Sequence, residues 1–143
     1  MAGAHYEDAW EAALEAQPGL QRDAARPQGI WVTVVSTSML PTLKPGTRIH
    51  VRRRPVRIGD VIVFLTADCT RAVAHRVVFC MPGLPWIVES ADCHRDDGAV
   101  AAIHRKKLIG VADLPRRPPT PSQCWAALRL MATGLARRSL GFR

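Results

Sequence analysis

The chain of 143 residues is 48% apolar and carries a formal net charge of +8. This length fits one domain with a modest core, and the composition excludes an intrinsically disordered chain. No apolar run reaches the length of about 18 residues that indicates a transmembrane helix. Acidic residues also occupy the N-terminal segment, where a secretory signal would have a basic start and an apolar centre. We therefore expect a cytoplasmic protein.

The positive charge comes from many more arginines than lysines. Such a balance fits an anionic partner or a general arginine bias. Because the basic residues are scattered along the chain, neither interpretation is excluded, but we expect no nucleic-acid partner. The four cysteines form no Cys-x-x-Cys pair, so neither a zinc site nor thioredoxin-like chemistry is indicated. In a reducing compartment they are expected to be free thiols.

The pattern along the chain predicts three segments. Residues 1–29 combine a short helix over residues 5–17 with a linker over residues 18–29, which is rich in proline and glycine. Residues 30–114 alternate short β-rich runs with turns, which predicts a mainly β domain built on a curled, largely antiparallel sheet or an open barrel. The strands are expected at residues 30–36, 47–53, 61–65, 72–79, 86–89, 100–104 and 108–112, the last two as a pair.

The last segment, residues 115–143, begins with a proline-rich linker that ends the β domain. A helix is predicted over residues 122–140, with one apolar side formed by Trp125, Leu128, Met131, Ala132 and Leu135. Such a helix could bind a membrane surface peripherally or pack on its own domain or a partner. We favour packing, because amphipathic helices usually contribute to cores.

Ser38 is the candidate nucleophile. It follows a β-rich run and precedes Met-Leu-Pro, where proline prevents a helix or a central strand from continuing. The chain must turn there, which presents the hydroxyl at the edge of the sheet. His75 lies in a later apolar strand, where burial keeps an imidazole neutral and able to accept a proton. Asp92, Asp96 and Asp97 follow in a long loop and could orient the second ring nitrogen, as a serine nucleophile requires.

Several short boxes resemble the type I signal peptidase and LexA-like serine peptidase superfamily. Residues 36–43 (STSMLPTL) are similar to its nucleophile box, and residues 59–64 (GDVIVF) to its Gly-Asp-hydrophobic strand. Residues 74–78 (AHRVV) are similar to its general-base box, and residues 89–98 to the acidic loop that follows. The boxes lie in family order between residues 31 and 114. The resemblance implies the β fold of that superfamily and a serine endopeptidase.

The residue at the general-base position distinguishes the subtypes of this superfamily. Bacterial signal peptidases and LexA-like proteins have lysine there, whereas His75 is similar to the histidine of archaeal and endoplasmic-reticulum signal peptidases. The resemblance implies that His75 deprotonates Ser38, and that Ser36 and the Ser38 amide form the oxyanion hole. For the acid it implies Asp97 first and Asp92 second, although Ala91 and Cys93 depart from the family's pattern around Asp92.

The leading hypothesis is a serine endopeptidase that cleaves a peptide or protein precursor without a metal or cofactor. The first alternative is a LexA-like self-cleaving regulator, for which the roughly 30 residues before the β domain are too few to hold a DNA-binding domain. The second is a catalytically silent module that binds a peptide or a membrane. We expect no membrane anchor, so either the C-terminal helix attaches the protein peripherally or the substrate is soluble.

Overall fold

A computed structural model describes residues 19–65 and 72–139. Within these ranges, antiparallel strands form one sheet of seven that does not close on itself, and two helices accompany it. The predicted mainly β, antiparallel architecture is therefore confirmed. The strands are β1 (Ile30–Thr33), β2 (Arg48–Arg52), β3 (Val61–Leu65), β4 (Ala72–Phe79), β5 (Trp86–Ser90), β6 (Ala101–His104) and β7 (Leu108–Ala112). The helix predicted over residues 5–17 lies outside the described residues.

The strands are ordered β1-β2-β7-β3-β4-β5-β6, so β1 and β6 form the two edges. The last two strands were expected as a pair, but they do not pair with each other. A 3-10 helix, Arg105–Lys107, separates them; β6 adds to β5, and β7 inserts between β2 and β3. All five residues of β7 are buried. A strand inside the sheet has a strand on each side and is covered on both faces, which explains the central place of β7.

The core lies on both faces of the sheet, and β3 contributes to both. Val61, Val63 and Leu65 belong to one buried cluster, while Ile62 and Phe64 belong to the other. Successive side chains of a strand point to opposite faces, so a strand covered on both sides must be apolar throughout. This requirement explains the uninterrupted run VIVFL, all of which is buried.

Residues 19–24 are helical (α1), although they belong to the stretch predicted as a linker. Ala24 is fully buried in the core cluster that contains Val61, and Leu20 packs against the same cluster. The Gln21 side-chain amide donates to the carbonyl oxygens of Lys106 and Leu108, at 2.8 and 2.9 Å. The proline and glycine content of residues 18–29 thus concealed a short helix that packs against the β domain.

The C-terminal helix α2 (Pro121–Ser139) agrees with the predicted range within one residue at each end, but a different face packs against the sheet. Ala127 is buried against Val78 and Val88, whereas Trp125 and Leu128, predicted on the packing side, are 64% and 57% exposed. In the part of the chain that the structure describes, no helix is long and apolar enough to cross a membrane.

A capping box explains why α2 packs in this orientation. The Thr120 hydroxyl accepts a hydrogen bond from the Gln123 amide at 3.2 Å, and the Gln123 side chain accepts one from the Thr120 amide at 2.9 Å. This reciprocal arrangement is a recurrent way to begin a helix. The Thr120 hydroxyl also donates to the Arg95 carbonyl, so the start of α2 is tied to the loop after β5 and Gln123 is buried.

The close approach of β7 to β2 requires glycine at position 110. A Cβ atom there would lie 2.7 Å from Val51 Cγ1 and 2.9 Å from the Arg52 carbonyl oxygen. We expect Gly110→Ala to lower the free energy of unfolding by about 1–3 kcal/mol, as overpacking does. As a control, Gly134→Ala in α2 meets no atom within 4 Å and should raise it by up to about 1 kcal/mol. Urea unfolding measures both, and equal effects would contradict this packing.

Candidate active site

Ser38 lies in a turn that follows β1 and is fixed by its neighbours. Met39 and Leu43 are buried in the core, and the Leu43 amide donates to the Met39 carbonyl at 2.9 Å. The Leu40–Pro41 bond within this turn is cis. The turn predicted from the Met-Leu-Pro sequence is therefore present, and Ser38 is half-buried at its start.

The structure brings Ser36 and Ser38 together. Their hydroxyl oxygens are 2.9 Å apart, and the Ser36 hydroxyl also accepts a hydrogen bond from the Ser38 amide at 3.2 Å. The resemblance assigns the Ser36 hydroxyl and the Ser38 amide to an oxyanion hole. In the structure these two groups are hydrogen-bonded to each other.

A small cavity of about 280 Å³ adjoins the two serines. Its walls are largely apolar: Val32 and Val34 from the β1 side, Val63 from β3, Ala74 from the start of β4, and Met39 from the serine turn. Pockets that hold a whole small-molecule ligand commonly measure about 300–1,000 Å³. This cavity is smaller and fits one or a few small apolar side chains.

The edge strand β1 borders this cavity. The Val34 amide donates to the Thr47 carbonyl at 2.8 Å, and the Val34 carbonyl accepts from the Gly46 amide at 2.7 Å. Backbone groups of alternate residues in an antiparallel strand point to opposite sides. Thr33 and Val35 therefore direct their amide and carbonyl groups away from β2, where an added strand could bind them.

His75 is paired with a carboxylate that the sequence analysis did not select. Its Nδ1 lies 2.5 Å from a carboxylate oxygen of Glu89, which is buried in β5. The ring also packs edge-on against Phe64, with 5.6 Å between the ring centroids. Because Glu89 occupies Nδ1, Nε2 is the nitrogen left for a second partner.

Asp92 does not contact His75, and its carboxylate is engaged elsewhere. Arg76 donates to both of its oxygens at 2.9 Å, and the Thr42 hydroxyl donates to one of them. Asp97, the first choice for the acid, is 61% exposed and bonds the neighbouring His94 at 3.0 Å. The structure therefore pairs neither predicted acid with the histidine.

The acidic loop supports the serine turn instead. The Cys93 amide donates to the Ser38 carbonyl at 3.0 Å, and Asp92 accepts from Thr42 in the same turn. The described contacts contain no hydrogen bond between Ser38 and His75. Ala74 of β4 lines the serine cavity, whereas the side chain of the next residue, His75, points to the opposite face of the sheet and packs against Phe64.

Glu89 had one signal in the sequence. It is the only charged residue of β5, and a buried carboxylate needs a partner, such as one on a neighbouring strand. Its direct cross-strand neighbour is Val77, two residues from His75 and on the same face of the sheet.

Comparison with known proteins found that no protein-family model matches this chain and that no curated protein matches it significantly.

The geometry predicts that Asp92 and Asp97 contribute very differently to stability. Asp92→Asn leaves the buried Arg76 without its carboxylate, and breaking a buried ion pair typically costs about 3–5 kcal/mol. Asp97→Asn removes an exposed contact that solvent screens, so the free energy of unfolding should stay nearly unchanged. Urea unfolding at neutral pH compares the two, and similar losses would contradict the structural role of Asp92.

The ion pair between Asp92 and Arg76 also predicts how stability depends on pH. Burial alone would raise the pKa of Asp92, but hydrogen bonds from Arg76 and Thr42 outweigh it and hold that pKa below its ordinary value. A carboxyl whose pKa is lowered by folding stabilises the protein above its unfolded pKa and loses that contribution as the pH falls. Below about pH 4, the wild-type protein should therefore lose stability more steeply than Asp92→Asn does.

Proposed function

We propose that the protein is a serine endopeptidase that cleaves a peptide or protein precursor, with Ser38 as its nucleophile. The observation that carries this proposal is the position of Ser38: held by Ser36, it stands at an apolar cavity beside the outward edge of β1. An extended peptide could add to this edge with a small apolar side chain in the cavity. Its scissile carbonyl would then lie next to the Ser38 hydroxyl.

The proposed reaction requires that peptide binding bring His75 within reach of Ser38. His75 then takes the proton of the Ser38 hydroxyl as the serine oxygen attacks the carbonyl carbon. The negative charge on the carbonyl oxygen is stabilised by the Ser38 amide and the Ser36 hydroxyl, which turn from each other to the substrate. His75 then protonates the leaving amine as the peptide bond breaks. Water, deprotonated by His75, hydrolyses the acyl-enzyme and restores Ser38.

In this proposal Glu89 is the third member of a catalytic triad with Ser38 and His75. A carboxylate on Nδ1 fixes the tautomer and orientation of the ring and stabilises the imidazolium that forms during proton transfer. The contact of 2.5 Å between Glu89 and His75 supports this role. The order of the boxes and the antiparallel sheet support a fold of the signal peptidase and LexA type, with histidine as the base.

A catalytically silent peptide-binding module is the second candidate, favoured by one specific observation. Ser38 and His75 share no hydrogen bond in the described part of the chain, and His75 points to the face of the sheet opposite the serine cavity. The cavity and the edge of β1 could therefore bind an extended peptide without cleaving it. A self-cleaving regulator would use the same proposed chemistry on its own chain. Mass spectrometry of the purified protein would then show a shortened chain.

Substitution of the nucleophile or of the base distinguishes a peptidase from a silent module. We expect Ser38→Ala and His75→Ala each to lower cleavage of a peptide mixture, followed by mass spectrometry, by up to about 10⁶-fold. Both should remain folded by circular dichroism. Wild-type protein that binds these peptides but yields no fragments would support the silent module.

The matched control for the base is His94→Ala, because His94 also has a carboxylate partner and lies next to Cys93, which contacts Ser38. Its cleavage rate should equal that of the wild-type protein. A loss with His94→Ala but not with His75→Ala would show that His75 is not the base.

Replacement of the carboxylates tests which acid supports the histidine. Glu89→Gln keeps the size of the side chain but removes its charge, and we expect a loss in kcat of up to about 10⁴-fold, as in serine proteases whose triad aspartate is replaced by asparagine. The profile of kcat against pH should also change, which a purely structural role of Glu89 would not cause. Asp97→Asn should leave both unchanged, and a larger defect in Asp97→Asn would reinstate Asp97 as the acid.

A further inference from the structure

Helix α2 presents an apolar stripe that nothing in the described chain covers. The stripe consists of Trp125, Leu128 and Ala132, which follow one another at helical spacing and are all exposed. The opposite side of the helix packs on the sheet through Ala127 and Leu130. The stripe therefore contributes nothing to the core, although it contains the largest side chain of the helix.

The stripe belongs to a segment whose only charged residues are basic. No aspartate or glutamate occurs after Asp113, whereas six arginines do: Arg116, Arg117, Arg129, Arg137, Arg138 and Arg143. Arg129 is exposed and directly follows Leu128 on the helix. Asp96 and Asp97 lie in the loop that contacts the start of α2, and Asp97 is bonded to His94.

We infer that α2 binds an anionic lipid surface, with the stripe inserted among the headgroups and Arg129 against a lipid phosphate. A helix that carries tryptophan and leucine on one face and cationic residues beside them is suited to the membrane interface. Tryptophan favours this depth because its ring is apolar and its N–H is polar. The helix would lie in the plane of the surface.

The charge of the segment favours lipid over a second copy of the chain. A symmetric dimer through this stripe would bring the two copies of Arg129 towards each other, and the segment after Asp113 has no acidic residue to pair with them. A surface of anionic headgroups instead attracts each nearby arginine. An open groove of about 720 Å³ along the same helix, lined in part by Val100, Leu130 and Arg129, adds apolar surface and a cation.

The inference does not depend on the proposed peptidase activity and is tested separately from it. Full-length protein is mixed with phosphatidylcholine vesicles, with or without phosphatidylglycerol, and the bound fraction is measured by flotation. We expect binding only to the anionic vesicles, weakened by added salt. Ser38→Ala should bind as the wild-type protein does, so a failed peptidase assay would leave this result intact.

Substitutions separate the apolar and electrostatic contributions. Trp125→Ser/Leu128→Ser should weaken binding at least about tenfold, and Arg129→Gln by about fivefold. The matched control is Trp31→Ser: Trp31 is 60% exposed and also lies beside an arginine, Arg48, but belongs to β1. Its binding should be unchanged.

Three results would overturn the inference. The first is a wild-type protein that does not bind anionic vesicles, and the second is a double variant that binds them as well as the wild-type protein does. The third is a wild-type dimer that the double variant converts to a monomer in light scattering, which would assign the stripe to a contact between copies.

Discussion

The buried guanidinium of Arg76 joins parts of the chain that are far apart in sequence. It donates to both carboxylate oxygens of Asp92, to the Gly59 carbonyl before β3 at 2.9 Å and to the Pro115 carbonyl after β7 at 3.3 Å. A buried charge is tolerated only when it is paired and fully hydrogen-bonded. Within the described residues no buried side-chain polar atom lacks a partner, so this condition is met. Because Asp92 also accepts from Thr42, the same network fixes the turn that carries Ser38.

That network explains why Asp92 does not pair with His75. Its carboxylate is turned towards Arg76 and Thr42, so Asp92 serves the fold. Among the described contacts, Glu89 pairs with His75 alone, because both lie on one face of neighbouring strands. Motif resemblance compares positions along the chain. The pairing of buried Glu89 with half-buried His75 depends instead on strand register, which no local pattern shows.

Much of the fold was predictable because its signals are local. The bounds of β3, β4 and β7 coincide with the predicted strands, since each is a run of β-branched and apolar residues between turn residues. The sheet order was not predictable, because it depends on which strands are buried on both faces and so lie in the centre of the sheet.

The orientation of α2 was predicted wrongly. Its apolar stripe was expected in the core, but the capping box of Thr120 and Gln123 and the small Ala127 place the other face against the sheet.

Arg76 and His75 are consecutive residues of β4, so the strand that positions the buried ion pair also positions the imidazole. Their side chains point to opposite faces of the sheet. Arg76 reaches the network that supports the Ser38 turn, while His75 reaches Glu89 on the other face. A shift of β4 by one residue would exchange the two faces, placing a charge against Phe64 and Ile62 and leaving Asp92 unpaired. The cost of burying those unpaired charges therefore fixes the register of β4, and this register fixes where the imidazole stands relative to the serine cavity.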